Sequence, residues 1–594
     1  CLFSAGTNDP MVQLKIPLDR LKQLWVLTCI GAFLLGFRLI DLQILRHKHF
    51  SRVAEMNRTL VIYKNAPRGK IITKDNTIIV ANQPSFSLVY LPAGEKNINY
   101  LKKLSKDFSA RLNVSPEIIE EKLQKAFDAG APIRLAEDLP LKSVFSLSEL
   151  KTVYASIDLV SETKRYYPYG KLASHLIGYM GKMDGEDWTR LRYDGRYRLD
   201  ANIGKSGLEK MFETDIKGTD GGLYLEVDSK GKLKRVLQNQ QWNQGSNLHL
   251  TIDFKTQKAA EEGLENSLSK VGAVVAINPK NGEILALASS PNFDPNMFVS
   301  YNEDFERLVR DLPEYNYAIK GLYEPASTFK IIVAASALET GAITPDQIFY
   351  CPGHYTIRSR TFKCWEKQGH GNVNLKEAIT RSCDVYFYQL GLKVGPATIE
   401  KFSRGFRLGM LSGIPMPGEK RGNVFGPTER AKKLSYWFAG DTLNLSIGQG
   451  ETLVTPIQMA QVMAAVANKG KFWRPHFIEK IESQEGKILF KKKVELLSMV
   501  NLKPQTWDVL QDSLLSVVNE GTGRLARIKG VEVYGKTGTA QNPRGPEHGW
   551  FVAFAKIPGK ESEIAVCVFL QHGEHGYLAA PIARDVIKAA LRLS

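Results

Sequence analysis

Three short groups of residues in this chain could together perform acyl transfer. The first is Glu324-Pro-Ala-Ser-Thr-Phe-Lys330, which leads into the almost wholly apolar run IIVAASALETG. A segment that is apolar all round reads as a buried helix. Ser327 and Lys330, three apart, fall on one face of its first turn, with Ser327 near the positive end of the helix dipole. A serine hydroxyl is a weak nucleophile until a base takes its proton, and a lysine serves as that base only where burial or a cationic neighbour lowers its pKa. The second group is Ser382-Cys383-Asp384. Ser382 can pass a proton towards a leaving amine, and Asp384 can hold Lys330 by a charge-assisted hydrogen bond. The third is Lys536-Thr537-Gly538-Thr539, which follows the strand-like run Val531-Glu-Val-Tyr534. Lys536 with the Thr537 and Thr539 hydroxyls can bind a substrate carboxylate, and Gly538 lets the backbone approach a ligand closely. The backbone amides of Ser327 and Thr539 can form an oxyanion hole. Taken singly, an S-x-x-K tetrapeptide reads as a solvated lysine beside a capping serine; the three groups in this order carry the argument.

These groups need a scaffold. Apolar runs at Gly272 to Asn278 and Glu283 to Ser289, joined by Pro279-Lys-Asn-Gly282, read as a β-hairpin preceded by a helix from Thr251 to Lys270. Further strand-like runs lie at Gly530 to Tyr534, Gly549 to Ala555 and Glu563 to Leu570, before a helix from Pro581 to Leu591. A sheet assembled from both ends of the domain and flanked by helices, with a helical insertion between, is expected. Upstream, strand-like runs at Thr59 to Tyr63, Lys70 to Thr73 and Ser85 to Leu91, with a helical stretch from Asn97 to Ala129, give an α+β region without a catalytic constellation. The turn at Asn243-Gln-Gly-Ser-Asn247 places the border near residue 246.

The chain has 594 residues and a net charge of +17, with charged and apolar usage close to the globular average. Such a charge suits an anionic partner. Its basic residues are scattered, and no zinc-finger spacing or aromatic RNP-type motif accompanies them, so nucleic acid is set aside. From Gln23 to Phe37 the chain is uncharged, which at 1.5 Å per residue covers about 22 Å of a roughly 30 Å hydrocarbon core. Continuing to Leu45, with Arg38 and Asp41 three apart and able to pair, gives a sufficient span over 21–45. No small-x-small cleavage site follows, so the segment reads as a retained anchor rather than a signal peptide. Basic residues flank it on both sides, and the positive-inside rule gives no orientation. Met11 offers an alternative start, and residues 1–10 are left out of the reading.

With these motifs the chain resembles the class B penicillin-binding proteins, and most closely their elongation-type members. Ala66-Pro-Arg-Gly-Lys-Ile-Ile72, Ile203-Gly-Lys-Ser-Gly-Leu-Glu-Lys210, Gly369-His-Gly371 and Ser446-Ile-Gly-Gln-Gly450 look like family motifs too. The resemblance implies a cytoplasmic tail (1–20), a single-pass anchor (21–45), an α+β pedestal of the dimerisation type (46–245) and a transpeptidase domain of the serine β-lactamase-like α/β fold (246–594). It implies a D,D-transpeptidase on the outer face of the bacterial inner membrane. Ser327 would attack D-Ala-D-Ala in a stem peptide during cell elongation, and β-lactams would trap it. A RodA-type glycosyltransferase is the implied membrane partner, and no cofactor is expected. The rivals are a division-type member, a β-lactamase, a β-lactam sensor and a non-catalytic scaffold that activates a polymerase. Two features depart from many relatives. Asp384 stands where many have Asn. In the loop with Cys351, His354, Cys364 and His370, where some relatives look to carry a structural metal, the position of a metal-ligand cysteine holds Ile379. A Cys351 to Cys364 disulfide, a metal site and packed thiols remain open there; no metal ligand is assigned, and Cys383 reads as a small buried filler.

Overall fold

The computed structural model describes residues 18–92, 98–112, 114–129, 132–154, 156–228, 233–299, 305–433, 435–543 and 545–593. Cys1 and Met11 lie outside them. The chain forms two compact units. The first comprises residues up to 64 together with 87–160 and 221–241; the second comprises 65–86, 161–220 and 242–594.

The first unit begins with the apolar helix Leu18–Ile40, which continues through a wider π-type turn, Asp41–Leu45. The segment from Asp19 to Leu45 has a mean hydropathy of 1.8 and buries nothing against the protein, as suits a helix whose solvent is lipid. Where it ends, Asp41 pairs with Arg38 at 2.7 Å and with Arg46 at 3.1 Å. Strands Thr59–Lys64, Gly221–Val227 and Leu233–Gln240 form an antiparallel sheet, and Ile62, Val89, Val160 and Leu225 share a small core. The helical stretch expected over 97–129 is two helices, Ile98–Leu112 and Pro116–Ala129. Pro116 lacks the N–H that an unbroken helix needs and opens the second one instead.

The second unit is built on a five-stranded antiparallel sheet. Its strands are β1 (Gly272–Ile277), β2 (Ile284–Ser290), β3 (Glu532–Ala540), β4 (His548–Lys556) and β5 (Ile564–Leu570), in the order β2-β1-β5-β4-β3. Strands from the two ends of the domain meet where β1 pairs with β5, Gly272 opposite Leu570. The strands read as continuous apolar runs because both faces are buried. Val274, Ala276, Phe551, Ala553, Val566 and Val568 point to one core, which the C-terminal helix Ala580–Ala590 covers. Val275, Ile277, Trp550, Val552, Cys567 and Phe569 point to the other, which holds the insertion helices. The helix before the hairpin is Phe254–Glu265, shorter than expected at both ends. The Asp253 side chain accepts from the Thr256 amide and caps it, so Thr251 stays outside.

The two family-like motifs remote from the catalytic groups meet in this unit. The Arg68 guanidinium bonds Glu213 at 2.7 Å and Glu209 at 2.9 Å, and Arg165 bonds Glu209 at 2.7 Å. All four side chains are buried.

Candidate active site

Ser327 lies on a single 3-10 turn, Ala326–Phe329, and Lys330 opens the helix Lys330–Glu339, which is buried all round through Ala337. The third motif lies inside β3, which runs on past the expected strand-like run ending at Tyr534 and is paired along its length with β4: Lys536 faces Val552, and Gly538 faces Trp550. A Cβ on Gly538 would stand 3.0 Å from Thr328 Cγ2 and 3.1 Å from the Pro325 carbonyl oxygen. The missing side chain is therefore what lets β3 lie against the turn that carries Ser327.

Ser382 adopts a left-handed conformation, φ 54°, one residue ahead of Cys383, the N-cap of the helix Asp384–Val394. This turn brings the second motif between the two lysines. Lys330 Nζ donates to Asp384 Oδ1 at 2.8 Å, to the Ser382 carbonyl at 2.9 Å and to Ser382 Oγ at 3.4 Å. Those three acceptors match the three hydrogens of an ammonium group. Lys536 Nζ donates to Ser382 Oγ at 2.8 Å and to the Thr537 carbonyl at 3.1 Å, and has no carboxylate among these partners. Both amines are fully buried. Burial, and then the charge of Lys330, push the Lys536 amine well below the ordinary lysine range, with Asp384 opposing.

The sequence-derived site residues thus come together around Ser382, with Ser327 on the adjoining turn. The hydroxyls of Thr537 and Thr539 also have partners within the protein, Thr537 Oγ1 bonding Thr522 Oγ1 at 2.7 Å and Thr539 Oγ1 accepting from the Gly576 amide at 3.0 Å, which leaves the Thr539 hydrogen free to be donated. Sequence reasoning missed Trp365. Its backbone N–H donates to Asp384 Oδ2 at 3.1 Å and its indole N–H to the Ser382 carbonyl at 3.2 Å, so it steadies both residues. Its position directly after Cys364 was the only available signal.

The cysteine loop corrects two readings. Cys351 and Cys364 are free thiols, and both lie against His370 Nδ1, at 3.7 and 3.5 Å. Cys383 is no mere filler: Cys351, Cys364, His370 and Cys383 are all buried, with their donor atoms within 4.8 Å of one another. Cys383 supplies the fourth donor that Ile379 cannot, whereas His354 sits exposed on strand His354–Ile357. A bond from the Cys383 thiol, reinforced by His370, holds Cys364 well below the ordinary thiol range. Three thiols and one imidazole, buried and convergent, form a donor set that suits Zn2+ in a closed structural site.

Residues 272–588 match the penicillin binding protein transpeptidase domain, and residues 63–250 match the penicillin-binding protein dimerisation domain. The chain is 31% identical to the peptidoglycan D,D-transpeptidase MrdA of Acinetobacter baumannii, over 94% of this chain and 85% of that protein. Among solved structures it is similar to penicillin-binding protein PBP2 of Helicobacter pylori in complex with MreC, with TM-score 0.75, 27% identity, and 90% and 99% of the two chains covered. It is also similar to a peptidoglycan synthase complex that coordinates polymerization and crosslinking, with TM-score 0.71, 27% identity, and 97% and 99% covered.

Proposed function

The chain belongs to the penicillin-binding protein family with a dimerisation and a transpeptidase domain, and from that premise we propose that it is an elongation-type peptidoglycan D,D-transpeptidase. The observation that carries the reading is the single network of buried Lys330, Ser382 and Lys536 with the half-buried Asp384, beside the turn that bears Ser327.

Two amines flank Ser382 Oγ and one carboxylate balances them. Burial and the nearby Lys330 charge both work against the protonated form of Lys536. Asp384 pairs with Lys330, and the role of base goes to Lys536, the amine with no carboxylate among its partners. Ser327 attacks the carbonyl carbon of the D-Ala-D-Ala bond; its proton passes through the Ser382 hydroxyl to Lys536. Lys536 then carries the charge that complements the donor's terminal carboxylate, alongside Thr537 and Thr539. The Ser327 and Thr539 amides receive the oxyanion. Collapse of the intermediate breaks the C–N bond, the proton returns through Ser382 to the leaving D-Ala amine, and an ester remains on Ser327. An amine from a neighbouring stem peptide then takes the acyl group. A β-lactam follows the first half of this course and stops at the ester.

Cys351, Cys364, His370 and Cys383 would hold a structural metal ion, which when bound would brace the Ser382–Asp384 segment through Cys383. The apolar helix anchors the chain in the bacterial inner membrane, with residues 1–20 in the cytoplasm and the catalytic unit on the outer side. Polymerisation of the glycan falls to a RodA-type membrane glycosyltransferase.

The test is a fluorescent penicillin applied to the full chain in detergent, with the modified peptide located by mass spectrometry. Stable one-to-one labelling at Ser327, absent in Ser327→Ala, is expected, together with release of D-Ala from a stem pentapeptide. A folded chain that neither labels nor releases D-Ala overturns the reading and leaves the scaffold role.

A further inference from the structure

The segment before the nucleophile is fastened along its length to a strap, residues 448–454, that follows the helix Ala439–Ser446. Tyr323 and Val454 exchange two backbone hydrogen bonds at 3.1 and 2.9 Å, and the Ala326 amide donates to the Gly448 carbonyl at 2.9 Å. Between these rungs stands a side chain: Glu324 Oε1 accepts from the Gly450 amide at 2.9 Å. With the Gln449 amide turned as its surroundings require, its nitrogen donates to Glu324 Oε2 at 2.6 Å and its oxygen accepts from the backbone amide of Gln541 at 3.2 Å. Gln541 directly follows β3, two residues beyond Thr539. One chain of hydrogen bonds therefore runs from the residue three before Ser327, through the strap, to the outgoing end of the strand that carries Lys536 and Thr539.

We infer that Glu324 is a positioning residue for acylation: through Gln449 its carboxylate ties the turn that bears Ser327 to the end of β3 and fixes the spacing of the two sides of the cleft. The inference rests on the transpeptidase reading, because the spacing it sets is that between the Ser327 and Thr539 amides. Two further features support it. Ala326, between Glu324 and Ser327, is held at φ 49°, a left-handed conformation that an alanine keeps only where its surroundings over-determine it. Burial also pushes the Glu324 carboxyl up to about 7, against the bond from Gly450, so the group is held in place at a cost in free energy. None of these contacts reaches a reacting atom, which makes the role one of positioning.

The decisive experiment exchanges the two side chains. In Glu324→Gln the new amide can still accept from Gly450, but its NH2 faces the NH2 of Gln449; turning Gln449 to accept breaks the bond to Gln541. In Gln449→Glu two carboxylates face each other. In the double variant E324Q/Q449E, Gln at 324 accepts from Gly450 and donates to Glu at 449, whose second oxygen accepts from Gln541, and every bond is restored. With binding and acylation of a fluorescent penicillin resolved in rapid-mixing experiments, each single variant is expected to lower the acylation rate constant about tenfold, with little change in Kd. The double variant returns to within about threefold of the wild type. An unchanged rate in E324Q, or a double variant that compounds the two losses, overturns the inference. If E324Q melts too low to be measured, Gln449→Ala, which removes both bonds of the tie between Glu324 and Gln541 but leaves Glu324 its bond from Gly450, carries the same expectation. The wild type labels at Ser327 in all these cases if the transpeptidase reading holds, so a failure of that reading is seen separately.

Discussion

The catalytic unit buries two charge clusters, and they are built to opposite rules. Around Arg68 two guanidiniums meet two carboxylates. Arg68 and Arg165 share Glu209, Arg68 also reaches Glu213, and Glu213 accepts in addition from the Gly204 amide at 2.9 Å. Burial works against each charge, but the opposite charges outweigh it: Arg68 is held above its ordinary range and Glu209 below its own. Around Ser382 two lysines meet one carboxylate. There burial and like charge win, and Lys536 is pushed well below the lysine range. The balanced cluster locks distant parts of the chain together, since its Arg68 and Glu213 are 145 residues apart. The unbalanced one, on the proposed mechanism, is left able to accept a proton and, with it, an anion. Stoichiometry of charge, rather than burial itself, separates the structural cluster from the chemical one.

The comparison breaks most sharply if one lysine is removed. Lys330→Met brings the catalytic cluster to one amine and one carboxylate, the balance found at Arg68. Acylation is expected to fall by about a thousandfold or more, about 4 kcal/mol of barrier. Thermal stability changes by only about 1 kcal/mol, because Asp384 is partly exposed and keeps the Trp365 amide. Glu209→Ala does the reverse. It leaves two buried guanidiniums short of a partner, at a cost of about 3–5 kcal/mol read from denaturant unfolding, while the folded fraction acylates at the wild-type rate. A large stability loss in Lys330→Met with a normal rate, or the opposite pattern in Glu209→Ala, would erase the distinction.

The parts of the site that can be read in the sequence are those written in local spacing. Ser327 and Lys330 share one turn, and Lys536 to Thr539 are contiguous, so residue type and order suffice. The sheet is legible for a related reason: buried on both faces, its strands are unbroken apolar runs such as Gly272–Ile277. Charge state is not legible, because it depends on Ser382 and Lys536 meeting across 154 residues. Cys383 escapes for a comparable reason. A search at position 379 finds isoleucine, and only the left-handed turn at Ser382 swings the thiol of the following residue towards Cys364 and His370. The boundary of Phe254–Glu265 was set by a cap at Asp253 that helical periodicity alone does not register.

The cysteine cluster sharpens the comparison from a third side, since its donors are thiols and an imidazole rather than paired charges. With zinc at a hundred times its Kd, the chain is expected to gain about 2.7 kcal/mol of stability, read as a rise in Tm that a chelator reverses. Cys383→Ser should abolish the gain and leave the ionic network at Arg68 untouched. A Tm indifferent to zinc, in a sample kept reduced, makes the four residues packed thiols beside a histidine.

The smallest effect is the most discriminating, because it alters charge with little change of shape. Asp384→Asn keeps an oxygen for Lys330 and gives up the acceptor for the Trp365 amide, but it removes the one negative charge in the cluster. Asp384 raises the Lys536 pKa against burial and Lys330, so its loss lowers that pKa further. The acid limb of the acylation profile, where the relay fills with a proton, should therefore move to lower pH, by on the order of one unit. Stability follows the same sign. The folded-state pKa of Lys536 lies below the unfolded value, so between the two the unfolded chain binds more protons and stability rises with pH. In Asp384→Asn the rise should begin at lower pH, whereas Lys536→Met should flatten it. An acid limb that stays in place while the stability profile shifts would mean that Lys536 titrates as described but does not receive the proton of Ser327. The unbalanced cluster would then serve to bind the donor carboxylate alone.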